Sequence, residues 1–244
     1  MKVIAIASPK GGVGKTTISI NLGVALSQMG QRVFLMDLDL KLSGVASQLG
    51  LFEIPVSLND VLKGRSSLYG AIQIHSSGLR IIPASFSCYE DSSLENLRNI
   101  INMINGEGFL LIDTPPGFEE KNLKILELTD EIILVINPDF PSIVAGLKFL
   151  KLIGKEKIKG VVVNRWIKRS KIKIEYIKEV FGIDVIGVVP EDKVVLKSLE
   201  RRMPIVYFKP YSKFSISIKK IAGKLTGVSY KESKLEKIAR WLRI

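Results

Sequence analysis

The segment Ser8-Pro9-Lys10-Gly11-Gly12-Val13-Gly14-Lys15-Thr16-Thr17 constrains this chain more than any other. An apolar run, Val3–Ser8, leads into it, and a helical pattern, Thr16–Met29, leaves it. Strand, glycine-rich loop and helix N-terminus in that order form an anion cradle. Glycines let successive N–H groups point at one ligand, and the helix start adds partial positive charge. Gly11, Gly12, Val13 and Gly14 therefore supply the phosphate-binding backbone. Lys15 is placed to reach the β- and γ-phosphates, the Thr16 hydroxyl to ligate Mg²⁺, and the Thr17 hydroxyl to face the α-phosphate. The general pattern G-x-x-x-x-G-K-[ST] asks for glycine at position 9. Here that position is Pro9, and a second lysine, Lys10, stands five residues before Lys15.

A parallel α/β architecture fits the rest of the chain. Val33–Met36, Leu79–Ile82, Phe109–Ile112, Ile132–Ile136, Gly160–Val163 and Val185–Val189 are short apolar runs of the kind buried on both faces of a parallel sheet. Helical patterns separate them, at Leu94–Ile104, Pro141–Ile153 and Ile174–Phe181. This alternation predicts a doubly wound, mostly parallel sheet with helices on both faces, the architecture of a P-loop NTPase. No internal repeat interrupts it, so the expected partition is one domain over residues 1–226 and a linker with a tail helix over residues 227–244.

Two of the strands end in carboxylates. Asp37 and Asp39 lie two residues apart at the end of Val33–Met36 and share one side of an extended chain. Phe109-Leu110-Leu111-Ile112-Asp113 is the Walker B form, four apolar residues ending in an acid, and Thr114-Pro115-Pro116-Gly117 follows. At the carboxyl ends of parallel strands these acids look into the phosphate crevice.

Together the paired lysines and the two acidic strand ends resemble the deviant Walker A ATPases, the group containing MinD, ParA/Soj and relatives. The likeness runs over nearly the whole chain. Ser57–Gly64, Ile81–Ser85, Val163–Arg165 and Val189–Asp192 read like the MinD branch. The resemblance implies ATP or ADP with Mg²⁺ as cofactors and ATP hydrolysis as the activity. It implies a homodimer formed with ATP, in which Lys10 reaches the partner's phosphates and acts catalytically in trans, as an arginine finger does. Asp39 would lie in switch I near Mg²⁺ and orient the attacking water, with Asp37 as a supporting carboxylate. Asp113 would hold Mg²⁺, the aspartates acting through water. Gly117 would offer its N–H to the γ-phosphate. Asn164 would bond the adenine edge, and the backbone of Pro190, Glu191 and Asp192 would cover the other side of the base. One cysteine, Cys88, cannot make a Cys-x-x-Cys site, which argues against the cluster-carrying relatives. The single histidine, His75, receives no catalytic role.

Charge bears on partners. The formal net charge is +12, and Lys193–Ile244 holds 14 Lys or Arg against 3 Glu. Arg165–Lys173 adds five cations without an acid. Such asymmetry suits an anionic surface, either membrane or nucleic acid. Residues 231–244, KESKLEKIARWLRI, place Leu235, Ile238, Ala239, Trp241 and Leu242 in one arc of about 160° with basic residues opposite. A short basic helix of this kind suits interfacial anchoring through residues 232–244, as in the tails of MinD proteins. No run reaches the length of a membrane span, and the apolar start reads as a strand rather than an export signal. The expected location is cytoplasmic, with peripheral attachment to the inner face of the cell membrane. A ParA-like reading, with Arg165–Lys173 gripping DNA phosphates, stands beside the membrane reading. Neither the activating partner nor the cargo is legible.

Overall fold

A computed structural model describes residues 1–86 and 93–232. The tail helix expected at residues 232–244, Glu232 apart, lies outside them, as does Cys88.

In chain order the elements are β1 Lys2–Ala7, α1 Lys15–Gln28, β2 Val33–Asp37, α2 Gly44–Leu49, α3 Leu58–Leu62, α4 Leu68–Ala71, β3 Gln73–Ile74, β4 Arg80–Ile82, α5 Leu97–Met103, β5 Phe109–Asp113, α6 Glu120–Glu127, β6 Glu131–Ile136, α7 Phe140–Ile153, β7 Ile158–Trp166, α8 Ile174–Phe181, β8 Val185–Pro190, α9 Val194–Arg201, α10 Ile205–Phe208 and α11 Lys213–Thr226. The strands form one sheet in the order β3-β4-β2-β5-β1-β6-β7-β8. Every pairing is parallel except that of β3 with β4.

Alternation along each strand splits the core into two layers. Ile4 and Ile6 of β1, Val33 and Leu35 of β2, and Ile133 and Val135 of β6 face a layer built from α1, α2, α10 and α11. On the opposite face, β2, β4 and β5 pack against α3 to α5, while Ala5, Ala7 and β6 to β8 pack against α7 and α8. The doubly wound architecture expected from the sequence is the one observed.

The chain winds first to one side of β1 and later to the other, because β1 lies between β5 and β6. Its carboxyl end is the topological switch point, where a crevice opens. The glycine-rich loop occupies that position.

Three differences from the sequence reading matter for the site. β7 runs past Val163 to Trp166, with a register shift between those residues and Arg165 at φ +54°. Asn164 therefore sits within a strand rather than after one. The helix expected at Leu94–Ile104 is shorter, Leu97–Met103. The antiparallel edge strand β3 and the short helices α2, α3, α4, α6, α9 and α10 were not anticipated. Most are too short to show a helical period.

Candidate functional site

The loop Ser8–Gly14 joins β1 to α1. Gly12 and Gly14 take φ of +73° and +93°, conformations that strain any residue with a Cβ. Gly14 has a second constraint, since a methyl group there would run into the amide of Asn164. Gly14 is the N-cap of α1, and its carbonyl accepts from Ile18 N–H at 3.0 Å. No side chain caps α1. Its first N–H groups therefore remain for a ligand at the switch point.

Lys15 is buried beside this opening. Burial lowers its pKa, while Asp113 and Asp39 act to hold the charge in place. Thr16 Oγ1 donates to Asp113 Oδ2 at 2.6 Å, and Ser19 Oγ donates to Asp113 Oδ1 at 2.8 Å. The Walker B acid is thus docked onto the first turn of α1 through both oxygens. Ser19 was missed by the sequence reading. It stands one turn beyond Lys15, and helical spacing alone would have put it on the same face.

Asp37 is fully buried, directly opposite Asp113 in the β2–β5 register. It accepts N–H groups from Asp39 and Val45, each at 3.1 Å. Burial pushes its pKa well above the usual carboxylate range, and neighbouring Asp113 adds to the rise. Burial also raises Asp113, to about 6, against the hydroxyls of Thr16 and Ser19, which pull it down. Burial raises Asp39 too, with Lys15 opposing.

Two of these carboxylates, Asp113 and Asp39, thus share one buried lysine, and Asp37 adjoins them both without reaching it. That is an electrostatic deficit which a bound divalent cation would relieve. Among the described residues no group of three or more His, Cys, Asp or Glu is arranged to hold a metal. Mg²⁺ itself keeps several waters and takes few protein oxygens alongside substrate phosphates. Thr16, Asp113 and Asp39 are hard oxygen donors, and the first two are already in contact.

Other expected residues sit at the rim. Thr17 Oγ1 donates to Gln48 Oε1 at 3.1 Å, so α2 is tied to the phosphate loop by a glutamine the sequence reading did not single out. Gly117, at φ +101°, points its N–H at the Ser8 carbonyl, 3.4 Å away. Asn164 is buried, and its Nδ2 donates to Val13 O at 2.7 Å. The residue expected at the base is thereby linked to the glycine-rich loop. Pro190 ends β8 opposite Trp166, and Glu191 N–H bonds Trp166 O at 2.9 Å. Asp192 Oδ1 accepts from Val194 N–H at the start of α9.

Lys10, in the same loop, is partly exposed. Its Nζ meets Asp139 Oδ1 at 3.0 Å, and both side chains are about 40% exposed. The same Asp139 oxygen caps α7, accepting Ser142 N–H at 2.8 Å. Asp139, like Gln48 and Ser19, escaped the sequence reading, because its motif context is only that of a helix cap.

Residues 4–205 match the CobQ/CobB/MinD/ParA nucleotide binding domain. An uncharacterised ATP-binding protein of Methanocaldococcus jannaschii is 38% identical over 96% of this chain and 90% of its own length. The structure of the septum site-determining protein MinD of Pyrococcus horikoshii, complexed with Mg-ADP, superposes with a TM-score of 0.84. It is 31% identical, over 97% of this chain and 98% of that one. A MinC:MinD cell division complex of Aquifex aeolicus gives a TM-score of 0.84 at 28% identity, covering 96% of this chain and 99% of the matched one.

Proposed function

We infer the function from one premise: this chain belongs to the CobQ/CobB/MinD/ParA nucleotide-binding family, where it is MinD-like. We propose that it is a Mg²⁺-dependent ATPase that hydrolyses ATP to ADP and phosphate. In this reading ATP joins two copies face to face, the dimer associates with membrane through residues 232–244, and the cycle serves as a spatial switch in cell division or cellular positioning.

The observation that carries the reading is the contrast between the two lysines. Lys15 is buried beside the Thr16–Asp113 pair, where one subunit's phosphates belong. Lys10 is displaced to the surface on an exposed ion pair, free to be exchanged for another anion. A charge held on an exposed, exchangeable ion pair is what a trans-acting group requires.

Residue roles follow. N–H groups of Gly11 to Lys15 bind and orient the phosphates, and Lys15 balances their charge. Bound Mg²⁺ supplies charge neutralisation on the β- and γ-phosphates. Thr16 and Asp113 would hold the ion, the aspartate through water. Asp39 orients the attacking water. As its oxygen bonds to the γ-phosphorus, the bond to the β-phosphate oxygen breaks and the water's proton leaves with the phosphate or to solvent. Gly117 must turn its N–H from Ser8 to serve the γ-phosphate, a switch motion. Asn164 keeps Oδ1 for the adenine amino group while Nδ2 remains on Val13. The backbone of Pro190–Asp192 covers the base.

Arg165, Lys168, Arg169, Lys171 and Lys173 are all exposed, and this favours one second reading, a ParA-like ATPase holding DNA non-specifically. Co-sedimentation with anionic vesicles and with duplex DNA, under ATP or ADP, separates the two. The membrane reading expects ATP-dependent vesicle binding that disappears when Glu232–Ile244 is deleted. Unchanged binding by the deleted chain would overturn it. The DNA reading expects duplex binding that falls steeply with salt.

A further inference from the structure

A strip of cations and aromatic rings crosses α9, α10 and the loops that follow α2 and β4. Its members are joined pairwise. Phe86 stacks on Phe52 with ring centroids 6.0 Å apart. The Arg202 guanidinium lies 4.6 Å from the Phe52 centroid. Next to it in sequence, Arg201 lies 4.7 Å from the Phe208 centroid, with Lys209 Nζ 5.9 Å from the same ring. Phe52 is 55% exposed and Phe86 42%.

Three features set this strip apart from ordinary solvated surface. First, neither guanidinium has a hydrogen bond or carboxylate partner among the described residues. A guanidinium lying over a ring spends none of its five N–H donors, so each is positioned by the ring and still free to bind an anion. Second, Arg202 is kept at a steric cost that glycine would avoid. It is the C-cap of α9 at φ +54°, where glycine is the usual occupant. Its stem crosses Gly50 so closely that a methyl group there would come within 2.7 Å of Arg202 Cδ. Third, the strip is rigidly mounted. Val206 N–H of α10 donates to Asn21 Oδ1 of α1 at 2.9 Å, and Ser43 Oγ bonds the carbonyl of Ser85, immediately before Phe86.

We propose that Phe52, Phe86, Arg201, Arg202, Phe208 and Lys209 form a docking surface for an acidic, apolar-flanked segment of a partner protein. Charge complementarity names the occupant. Three cations with no ion-pair partner among the described residues ask for anions, and half-exposed phenylalanines beside arginines are the composition of protein-binding hot spots. A single-stranded nucleic acid would need open ring faces for its bases, but Phe52 is already stacked with Phe86 and covered by Arg202. The proposal does not depend on the hydrolytic reading.

The test uses the full chain and a fluorescein-labelled 12-residue peptide alternating Glu with Leu and Phe. A peptide with every Glu replaced by Gln, a 20-residue oligo-dT and phosphatidylglycerol vesicles are the competing probes. Arg201→Gln with Arg202→Gln keeps the stems on the rings and removes both charges. Lys151→Gln with Lys178→Gln removes the same charge from exposed positions on α7 and α8, on the opposite face of the sheet. We expect the acidic peptide to bind at least 10-fold more tightly than its glutamine form. The arginine double variant should lose at least 10-fold, while the lysine double variant stays within 2-fold of the unmodified chain. Melting temperature and nucleotide affinity should be unchanged in both variants. Equal peptide binding by the two double variants overturns the proposal. So does selective loss of oligo-dT or vesicle binding in the arginine variant, which would hand the surface to nucleic acid or lipid.

Discussion

Lys15 and Lys10 sit five residues apart in one loop, yet the fold treats them in opposite ways. Lys15 is buried among Asp39, Asp113 and the first turn of α1, with Asp113 held by hydroxyls at 2.6 and 2.8 Å. Lys10 is exposed, and its only recorded side-chain partner among the described residues is Asp139. The first lysine is part of a site completed by folding. Breaking the second lysine's contact costs little, since exposed ion pairs contribute about 0–1 kcal/mol. Under the proposed function, a chain that builds one cation in and leaves its neighbour loose separates binding from a later, exchangeable step.

The sharpest way to break that comparison is Lys10→Ala. If Lys10 acts in trans, ATP-dependent dimerisation is lost and hydrolysis falls on the order of 10³-fold, as when an arginine finger is removed. Nucleotide binding by the monomer should be spared. Unfolding should shift by less than about 1 kcal/mol, because only an exposed pair disappears. Light scattering and steady-state turnover check this together. A variant that still dimerises and turns over normally would place Lys10 with ordinary solvated lysines.

Lys15→Ala comes next and should produce the reverse pattern. Nucleotide affinity falls about 10- to 100-fold, the scale of losing charge-assisted hydrogen bonds to phosphate. The defect appears already in the monomer, in a titration with a fluorescent ATP analogue. Equal loss from both alanine variants in that titration would erase the distinction between the two lysines.

Part of this contrast was legible before any coordinates. The glycines, both lysines, Asp37, Asp39 and Asp113 announce themselves because the phosphate cradle and the strand ends are local features, written in consecutive residues. The doubly wound sheet was legible too, since parallel strands buried on both faces are continuous apolar runs. What escaped is non-local. Asp139 lies 129 residues from Lys10 and reads in sequence only as a helix cap. Gln48 belongs to α2, too short to show a period, and its bond to Thr17 exists only once α2 packs on α1. Asn164 was found by resemblance, but its hold on Val13 requires β7 to run beyond the length its apolar core suggests.

The buried side of the comparison has its own signature in pH. Asp113 titrates near 6 in the folded chain against 3.8 for an unperturbed aspartate, and Asp37 is displaced in the same direction. The folded nucleotide-free chain therefore binds more protons than the unfolded chain between those values. Stability assigned to Asp113 is fully present below about pH 3.8 and is lost as pH rises through about 6. Asp113→Asn removes that penalty while leaving Thr16 and Ser19 a polar partner. Near pH 7.5 the nucleotide-free variant should be more stable by roughly 1–3 kcal/mol, with a flatter pH dependence in urea unfolding and loss of Mg²⁺-dependent hydrolysis. A destabilised variant with the slope intact would mean that Asp113 is not the strained carboxylate.

The smallest expected effect probes the exposed side. Asp139 does two jobs with one oxygen, holding Lys10 and capping α7. Asp139→Asn keeps a side-chain oxygen for Ser142 N–H, and asparagine caps helices as well as aspartate does. The substitution therefore isolates the charge from the cap. Removing that charge releases Lys10 from its own subunit, so less must be given up when it turns to a partner's phosphates. With about 0.2–1 kcal/mol at stake in each of the two subunits, dimer affinity in ATP should rise roughly 2- to 30-fold, and more at low salt than at high. Melting temperature should scarcely move. Asp139→Ala loses the cap as well, costing about 1 kcal/mol of stability, so the two variants tell release of Lys10 from damage to α7. An unchanged dimer affinity in Asp139→Asn would show that the pair does not restrain Lys10, leaving its exposed position alone to explain its availability.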